Sequence, residues 1–504
     1  MSTSRRRIPT LLGAAALAAT FAIVVPTANS AAALRPKKVV VFGIDGLMFD
    51  KIAPVNAPTL DALIANGRSS KTTLYANPMA PTLSGPGWAT IATGVWPDRH
   101  KVTSNNWGTS TNLAQYPDFL TRLESASSAL STYAIADWSP LTSDSVGKAI
   151  FSSAIDKRET VSDSPGYAAA DATIATKAAT HLKDTGPDAS FVYFGEVDIA
   201  GHSCGATGSC YATAIEHTDK HMGTVINAIK ARPTYADEDW TFIVSTDHGH
   251  TNAGGHGGSS VAERSSFIIQ SGPGVPAGTF TVKPKNVDIA ATVLGIHGVS
   301  AALDGQVLGT ASTDPFEGVT LKPRVDETGI PSGVLGWTNS VPSGWGIDST
   351  GMGTGGMTEW RGWSLTNDDF WTRTQADQQR ESNVRARGVF AVADSDEWSD
   401  KATSGTFNSA LVSAPYAVTA GRTATIGFGS HYLKEGSETT TVSVSFNGGA
   451  ETQILKYTGN AVAKVERLTV TIPSGATSMV VRWRLANGAN NWYWAVDNPS
   501  VSVS

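Results

Sequence analysis

Three apolar runs, Val39–Ile44, Phe191–Phe194 and Phe242–Thr246, read as buried strands, and each is followed within a few residues by carboxylates or imidazoles. Asp45 follows the first, Asp198 and His202 the second, and Asp247, His248 and His256 the third. Parallel strands deliver their following loops to one edge of a sheet, and in an open α/β sheet that carboxyl edge is where ligands bind. Three loops far apart in sequence can therefore meet at one site. The expectation for residues 31–312 is an α/β fold, a mostly parallel sheet flanked by helices.

Three Asp and three His offer a mixed oxygen and nitrogen donor set, enough for two zinc ions, each with a coordination position open to water or substrate. Open positions imply catalysis. Asp247-His248-Gly249-His250 and Gly254-Gly255-His256-Gly257-Gly258 place glycines beside imidazoles, a sign of backbone packed closely around a ligand. Ser84 lies just before a helix expected over Pro86–Ala92 and closed by Gly94. The free amides and positive end of that helix would face an anionic group. Held on a metal, the Ser84 hydroxyl becomes a competent nucleophile at neutral pH; its ordinary role at this position would be a helix N-cap. His217 and His221 fall on a helix expected over Tyr211–Arg232, on its solvated side, while Ile215, Met222, Val225, Ile226 and Ile229 form the apolar stripe. His100 and His250 are read as donors that orient ligands rather than as ligands.

Phe42-Gly43-Ile44-Asp45-Gly46, Pro81-Thr82-Leu83-Ser84-Gly85-Pro86-Gly87, Asp198-Ile199-Ala200-Gly201-His202 and Asp247-His248-Gly249 together resemble the alkaline phosphatase superfamily. Within it they are similar to the type I phosphodiesterase/nucleotide pyrophosphatase family. Thr93-Gly94-Val95-Trp96-Pro97, Val287–Leu294 and Asp304-Gly305 extend the resemblance over about residues 37–310. It implies one zinc on Asp45, Ser84, Asp247 and His248, and another on Asp198, His202 and His256, with Ser84 forming a phosphoserine intermediate. Two departures stand out. The family's nucleophile is usually Thr followed by Phe-Pro-Asn, whose Asn helps hold a phosphate oxygen; this chain has Ser84 and, at the Asn position, Gly87. Trp88, Asn105 and Asn106 are the candidates for that missing substrate contact. The Lys-Asp-Arg segment that clamps dianionic phosphate in some zinc phosphomonoesterases is not evident, which favours diesters.

At 504 residues the chain exceeds one ordinary domain. Arg5-Arg6-Arg7, an apolar stretch from Leu11 to Val25 and Ala28-Asn29-Ser30 read as a secretory signal peptide over residues 1–30. A twin-arginine route and the general secretory route both fit an exported, extracellular product. No later apolar run is long enough to span a membrane. A net charge of -6 argues against nucleic acid as a tightly held partner, though not against a small nucleotide. The chain has two cysteines, Cys204 and Cys210, which in an exported protein are expected to form a disulfide.

After residue 312 the helical periodicity fades. A linker over 313–335 and an antiparallel β-sandwich or jelly roll over 336–504 are expected, from alternating runs such as Val442–Phe446 and Val480–Leu485. Nine of the fourteen tryptophans lie at or after Trp337, so this domain could stack sugar rings and take a glycan, or spend its aromatics on its own core. Trp492–Asn498 resembles the closing strand of galactose-binding-like modules. Asp394, Asp396, Glu397 and Asp497 are a candidate calcium set. The reading that unites these features is an exported zinc phosphodiesterase acting on a small phosphodiester or nucleotide. Its alternatives are a phosphomonoesterase or phosphoethanolamine-type transferase with the same site, or a vestigial catalytic domain serving carbohydrate binding. A sulfatase is disfavoured, since neither cysteine lies near Ser84.

Overall fold

The computed structural model describes residues 1, 2 and 35–504. The secretory segment expected over 1–30 therefore lies, but for its first two residues, outside the described residues. Lys37–Ile44 (β1) is apolar on both faces and is buried from its second residue onward, the pattern of a central parallel strand. Its neighbours are Ala189–Phe194 and Asp239–Ser245, both parallel to it, with Ile44 opposite Phe194 and Gly43 opposite Ser245. The three ligand-bearing strands expected from sequence are thus adjacent, and their carboxyl ends lie level.

Adding Gly67–Thr73 (β2), Thr132–Ala136 (β3), Lys157–Thr160 (β4) and Ser265–Ser271 (β7), with Ala189–Phe194 as β5 and Asp239–Ser245 as β6, gives a seven-stranded sheet. Its order is β2-β7-β6-β1-β5-β3-β4. Pairing is parallel from β6 to β4 and antiparallel only where β7 joins β6 and β2. Helices cover both faces, so β1 splits its residues between two cores. Val40, Phe42 and Ile44 pack with the helices Tyr167–Asp184 and Ser209–Lys230, whereas Val39 and Val41 pack with Ser84–Thr93 and Asp288–Ile296. The helix Ser209–Lys230 buries Ile215, Met222, Val225, Ile226 and Ile229, the stripe its 3.6-residue period foretold.

The remainder of the described chain forms two large antiparallel sheets and a small one that pairs Thr354–Gly355 with Thr403–Ser404. Residues of both large sheets, including Phe428 and Trp483 with rings 5.7 Å apart, share one apolar core, which makes the region a sandwich. Lys322–Pro323 is its edge strand, and Phe316 and Ile330 lie in that core. Seven of the nine late tryptophans are buried, and Trp345 and Trp492 pack against the same core. The enrichment is thus a property of the interior, and a sugar-stacking surface finds no support. The four proposed calcium ligands are not a cation cradle either. Fully buried Arg380 already supplies the positive charge, its Nη2 lying 2.5 Å from Glu397 Oε1 and 3.3 Å from Asp394 Oδ2. Asp396 accepts from Gln378, and Asp497 Oδ2 accepts from the Arg387 backbone amide at 2.8 Å.

Pro36–Ser504 fold as one compact unit. Sandwich and sheet are joined by an apolar cluster of Tyr75, Trp96, Val287, Val384 and Ala463. Around it lie ion pairs: Arg264 with Asp368 at 2.8 Å, Arg387 with Asp288 at 2.6 Å, and Arg385 with Asp98 at 2.7 Å and Asp304 at 2.9 Å. No helix among the described residues is long and apolar enough to cross a membrane.

Candidate metal centre

Asp45 follows β1 directly and is buried. Trp88 Nε1 and the Tyr193 hydroxyl donate to its Oδ2 at 3.0 and 2.6 Å, leaving Oδ1 with no hydrogen-bond partner. Asp247, two residues past β6, has the same asymmetry: Gly46 N donates to Oδ1 at 3.2 Å, while buried Oδ2 has none. Into the space between these two orphaned oxygens points His248 Nε2, 3.5 Å from Asp45 Oδ1, 3.2 Å from Asp247 Oδ2 and 3.4 Å from Ser84 Oγ. Buried carboxylate oxygens without donors are costly unless a cation completes them.

Asp198, on the helix Glu196–Cys204 that follows β5, anchors the second group. His256 Nε2 is 3.5 Å from Asp198 Oδ1, and His202 Nε2 is 3.4 Å from Asp198 Oδ2. The two imidazole Nε2 atoms are 3.0 Å apart. His256 Nδ1 donates to the Thr82 carbonyl at 2.8 Å, so its Nε2 carries a lone pair rather than a proton. The residues fit divalent metal: among the described residues Asp45, Asp247 and His248 converge on one point and Asp198, His248, His250 and His256 on another, with His202 Nε2 beside the second group, 3.0 Å from His256 Nε2. Zinc suits such a set.

Electrostatics agree. Burial, followed by the Asp198 charge, pushes the Asp45 carboxyl up to about 7. Burial, then Asp45, pushes Asp247 far above the carboxylate range. Burial, then His256, holds His248 well below the usual imidazole value, in the neutral form that binds metals. Asp198 differs: burial raises it, but the His250 hydrogen bond and the surrounding imidazoles outweigh burial and leave it at about 2. Without a cation, the first group confines carboxylates that cannot all ionise.

His250 is the residue whose part the sequence only hinted at. Gly255 N donates to its Nδ1 at 3.2 Å, so Nε2 holds the proton and donates to Asp198 Oδ1 at 2.7 Å. That bond orients the Asp198 carboxylate. His100 is also buried, but accepts from Val102 N through Nδ1 and bonds Thr90 Oγ1, so it braces the helix Ser84–Thr93 and not the ligands. Cys204 and Cys210 form a disulfide next to His202. His217 bonds Glu196 and is exposed, and His221 stacks on Phe194.

Ser84 is the first helical residue, with Leu83 at the cap. The amide cradle expected at this helix end is largely consumed. Gly85 N donates to Asn105 Oδ1 at 2.8 Å, Pro86 has no N–H, and Gly87 N donates to Leu83 O. Gly87 is glycine for want of space, since a Cβ there would lie 2.7 Å from both Asp247 Cβ and Asp247 O. Gly43 likewise leaves room for the Trp88 ring. Of the three candidate substrate contacts, Trp88 spends its only donor on Asp45, and Asn106 is an exposed turn residue held by Ser104. Asn105 sits over the first turn of the helix beside Ser84, with Oδ1 committed and its Nδ2 donor facing away from that bond.

Residues 39–261, which hold every one of these side chains, match the family described as type I phosphodiesterase / nucleotide pyrophosphatase. Among solved structures, the chain is similar to an inactive murine ectonucleotide pyrophosphatase / phosphodiesterase 5 in complex with AMP, at 14% identity and a TM-score of 0.41. The similarity covers 53% of this chain and 96% of that one. The human counterpart matches at 12% identity and TM-score 0.41, over 54% of this chain and 97% of that one. A 2-O GAG sulfatase matches at 12% identity and TM-score 0.39, over 53% and 72% respectively. No curated protein matches the sequence. The family match thus covers the part of the chain that builds the candidate metal centre, and it is in that part that the chain is similar to the type I phosphodiesterase / nucleotide pyrophosphatase family.

Proposed function

We propose that the protein is an exported, dizinc phosphodiesterase that works through a phosphoserine at Ser84. The observation that carries this reading is the placing of Ser84 Oγ and two partnerless carboxylate oxygens around His248 Nε2. Zinc in such a donor set would supply Lewis acidity and lower the pKa of a bound hydroxyl or water. Asp45, Asp247 and His248 would hold one ion beside Ser84, and Asp198, His202 and His256 the other. Ser84 Oγ forms the bond to phosphorus as the alcohol departs, and water then cleaves the phosphoserine. Trp88 and Tyr193 keep Asp45 aimed, and His250 does the same for Asp198. The purified protein is expected to bind two zinc ions per chain, read by metal analysis after zinc reconstitution. One ion or none would refute the dinuclear centre.

With the Gly85 and Gly87 amides consumed, a side-chain donor for a phosphoryl oxygen falls to Asn105 Nδ2, which takes the part that Asn plays elsewhere in the family. Asn105→Ala is expected to lower kcat/KM for bis-p-nitrophenyl phosphate by roughly 10- to 100-fold with zinc content unchanged. An Asn105→Ala enzyme with full activity would move that contact to another residue.

A further inference from the structure

A cavity of about 460 Å³ lies between the seven-stranded sheet and the sandwich, and none of the candidate metal ligands lines it. One wall includes Met48, Thr72 and Ala262, from the sheet and its loops; the other includes Asn383 and Phe390, from the sandwich side. Three carboxylates face this space, and each already has its cation. Asp50 has Lys71, Asp368 has Arg264 at 2.8 Å, and Asp369 has Arg373 at 2.7 Å. Two ammonium groups, Lys283 and Lys285, are left over, and no ion pair reaches either of them among the described residues.

Lys285 is the better placed of the two. Its Nζ makes a long hydrogen bond to Val384 O at 3.5 Å and lies 5.6 Å from the centre of the Trp96 ring. The carboxylates whose charge reaches it, Asp368, Asp497 and Asp288, bond Arg264, the Arg387 amide and the Arg387 guanidinium respectively. Burial, then the Arg387 charge, brings the Lys285 amine down to about 8, so it is still largely protonated at neutral pH. Asn383, 7% exposed, adds an Nδ2 donor that has no acceptor. A desolvated ammonium and a buried amide without partners are costly unless an acceptor completes them. Val261, Pro284 and Phe390 make the adjoining wall apolar.

We infer that this cavity is a binding site for an amphipathic organic anion, a carboxylate or phosphate head on an apolar body. Lys285, Lys283 and Asn383 Nδ2 take the head, and Val261, Pro284 and Phe390 take the body. The site shares no residue with the metal centre and does not depend on the phosphodiesterase reading. Because its walls come from both parts of the chain, an occupant also ties the sandwich to the sheet.

The test titrates the purified full-length protein, with zinc present, with the fluorescent anion 1-anilinonaphthalene-8-sulfonate and with its uncharged counterpart N-phenyl-1-naphthylamine. The sulfonate is expected to bind saturably at a single site and to be displaced by octanoate or by octyl phosphate, whichever displaces it identifying the head group. Lys285→Gln should weaken its binding by about tenfold or more. Lys283→Glu, at an exposed position, should weaken it similarly, which keeps the inference testable if the first variant fails to fold. The uncharged probe should lose less than about twofold in either variant, since its binding draws on the apolar wall alone. Sulfonate binding that neither substitution weakens, the lack of a saturable site, displacement by neither competitor, or equal losses for the charged and uncharged probes would overturn the site.

Discussion

Ser84→Ala is expected to lower phosphodiester turnover by on the order of 10³-fold or more while both zinc sites stay filled. The two halves of that expectation come from different atoms. Three protein donors on each side of the centre are not Ser84, so metal retention rests on Asp45, Asp247 and His248 and on Asp198, His202 and His256. The attacking oxygen, in contrast, has no substitute: Thr82 is committed to Gly257 and Gly258, and Thr90 to Pro86 O and His100. Ser84→Thr should retain activity, because a hydroxyl stays at the first helical position. Acid quench with labelled substrate should leave phosphate on the peptide containing Ser84. Near-normal turnover by Ser84→Ala with no trapped label would make water the direct nucleophile.

The second large effect concerns the sandwich. A chain ending near residue 320 keeps every candidate ligand and reads as self-sufficient from its strand pattern alone. The structure argues otherwise. Arg264 and Asp288 are each 1% exposed, and their partners, Asp368 and Arg387, lie beyond that point. Ending the chain there strips both charges of their partners and opens the surface around them to water, in a protein whose typical stability is only about 5–15 kcal/mol. Loss of the contacts to Tyr75 and Trp96 adds to this. The shortened chain should be insoluble or melt far below the full-length protein, as read by circular dichroism, and should bind no zinc. A shortened chain that folded cooperatively and held both metals would show the interface to be dispensable.

What the sequence disclosed, and what it hid, follows from the reach of each signal. β1, β5 and β6 announced themselves because a strand buried on both faces is an unbroken apolar run, and the residue after it must sit at the sheet edge. Candidate ligands placed after such strands could be listed by counting. His250 was legible as a donor near them, but its partner was not, because its tautomer is set by the amide of Gly255, and no side-chain pattern reports which way a backbone N–H points. The same blindness produced the expected amide cradle at Ser84; Asn105 reaches Gly85 N from twenty residues away. Tryptophan counts carry no information on facing, so a binding surface and a filled core both stood open until the fold put these rings inside. The pairs Arg264–Asp368 and Arg387–Asp288 span about a hundred residues and have no local signature at all.

β1 is the earliest described strand in the chain, yet it is the middle of the sheet, and its two neighbours begin at Ala189 and Asp239. One of its edges therefore stays open until Phe194 has been made, and the other until Ser245 has. Contacts of such long range are slow to form, and an unpaired apolar strand is a site for aggregation while it waits. Assembly of the centre is thus an all-or-nothing event late in the life of the growing chain: Asp45 is made first and is useless until His256 exists. A chain held extended until it is complete, as during passage across a membrane, would meet this constraint at no cost, whereas fragments released short of residue 189 would carry Val39–Ile44 with nothing to pair it.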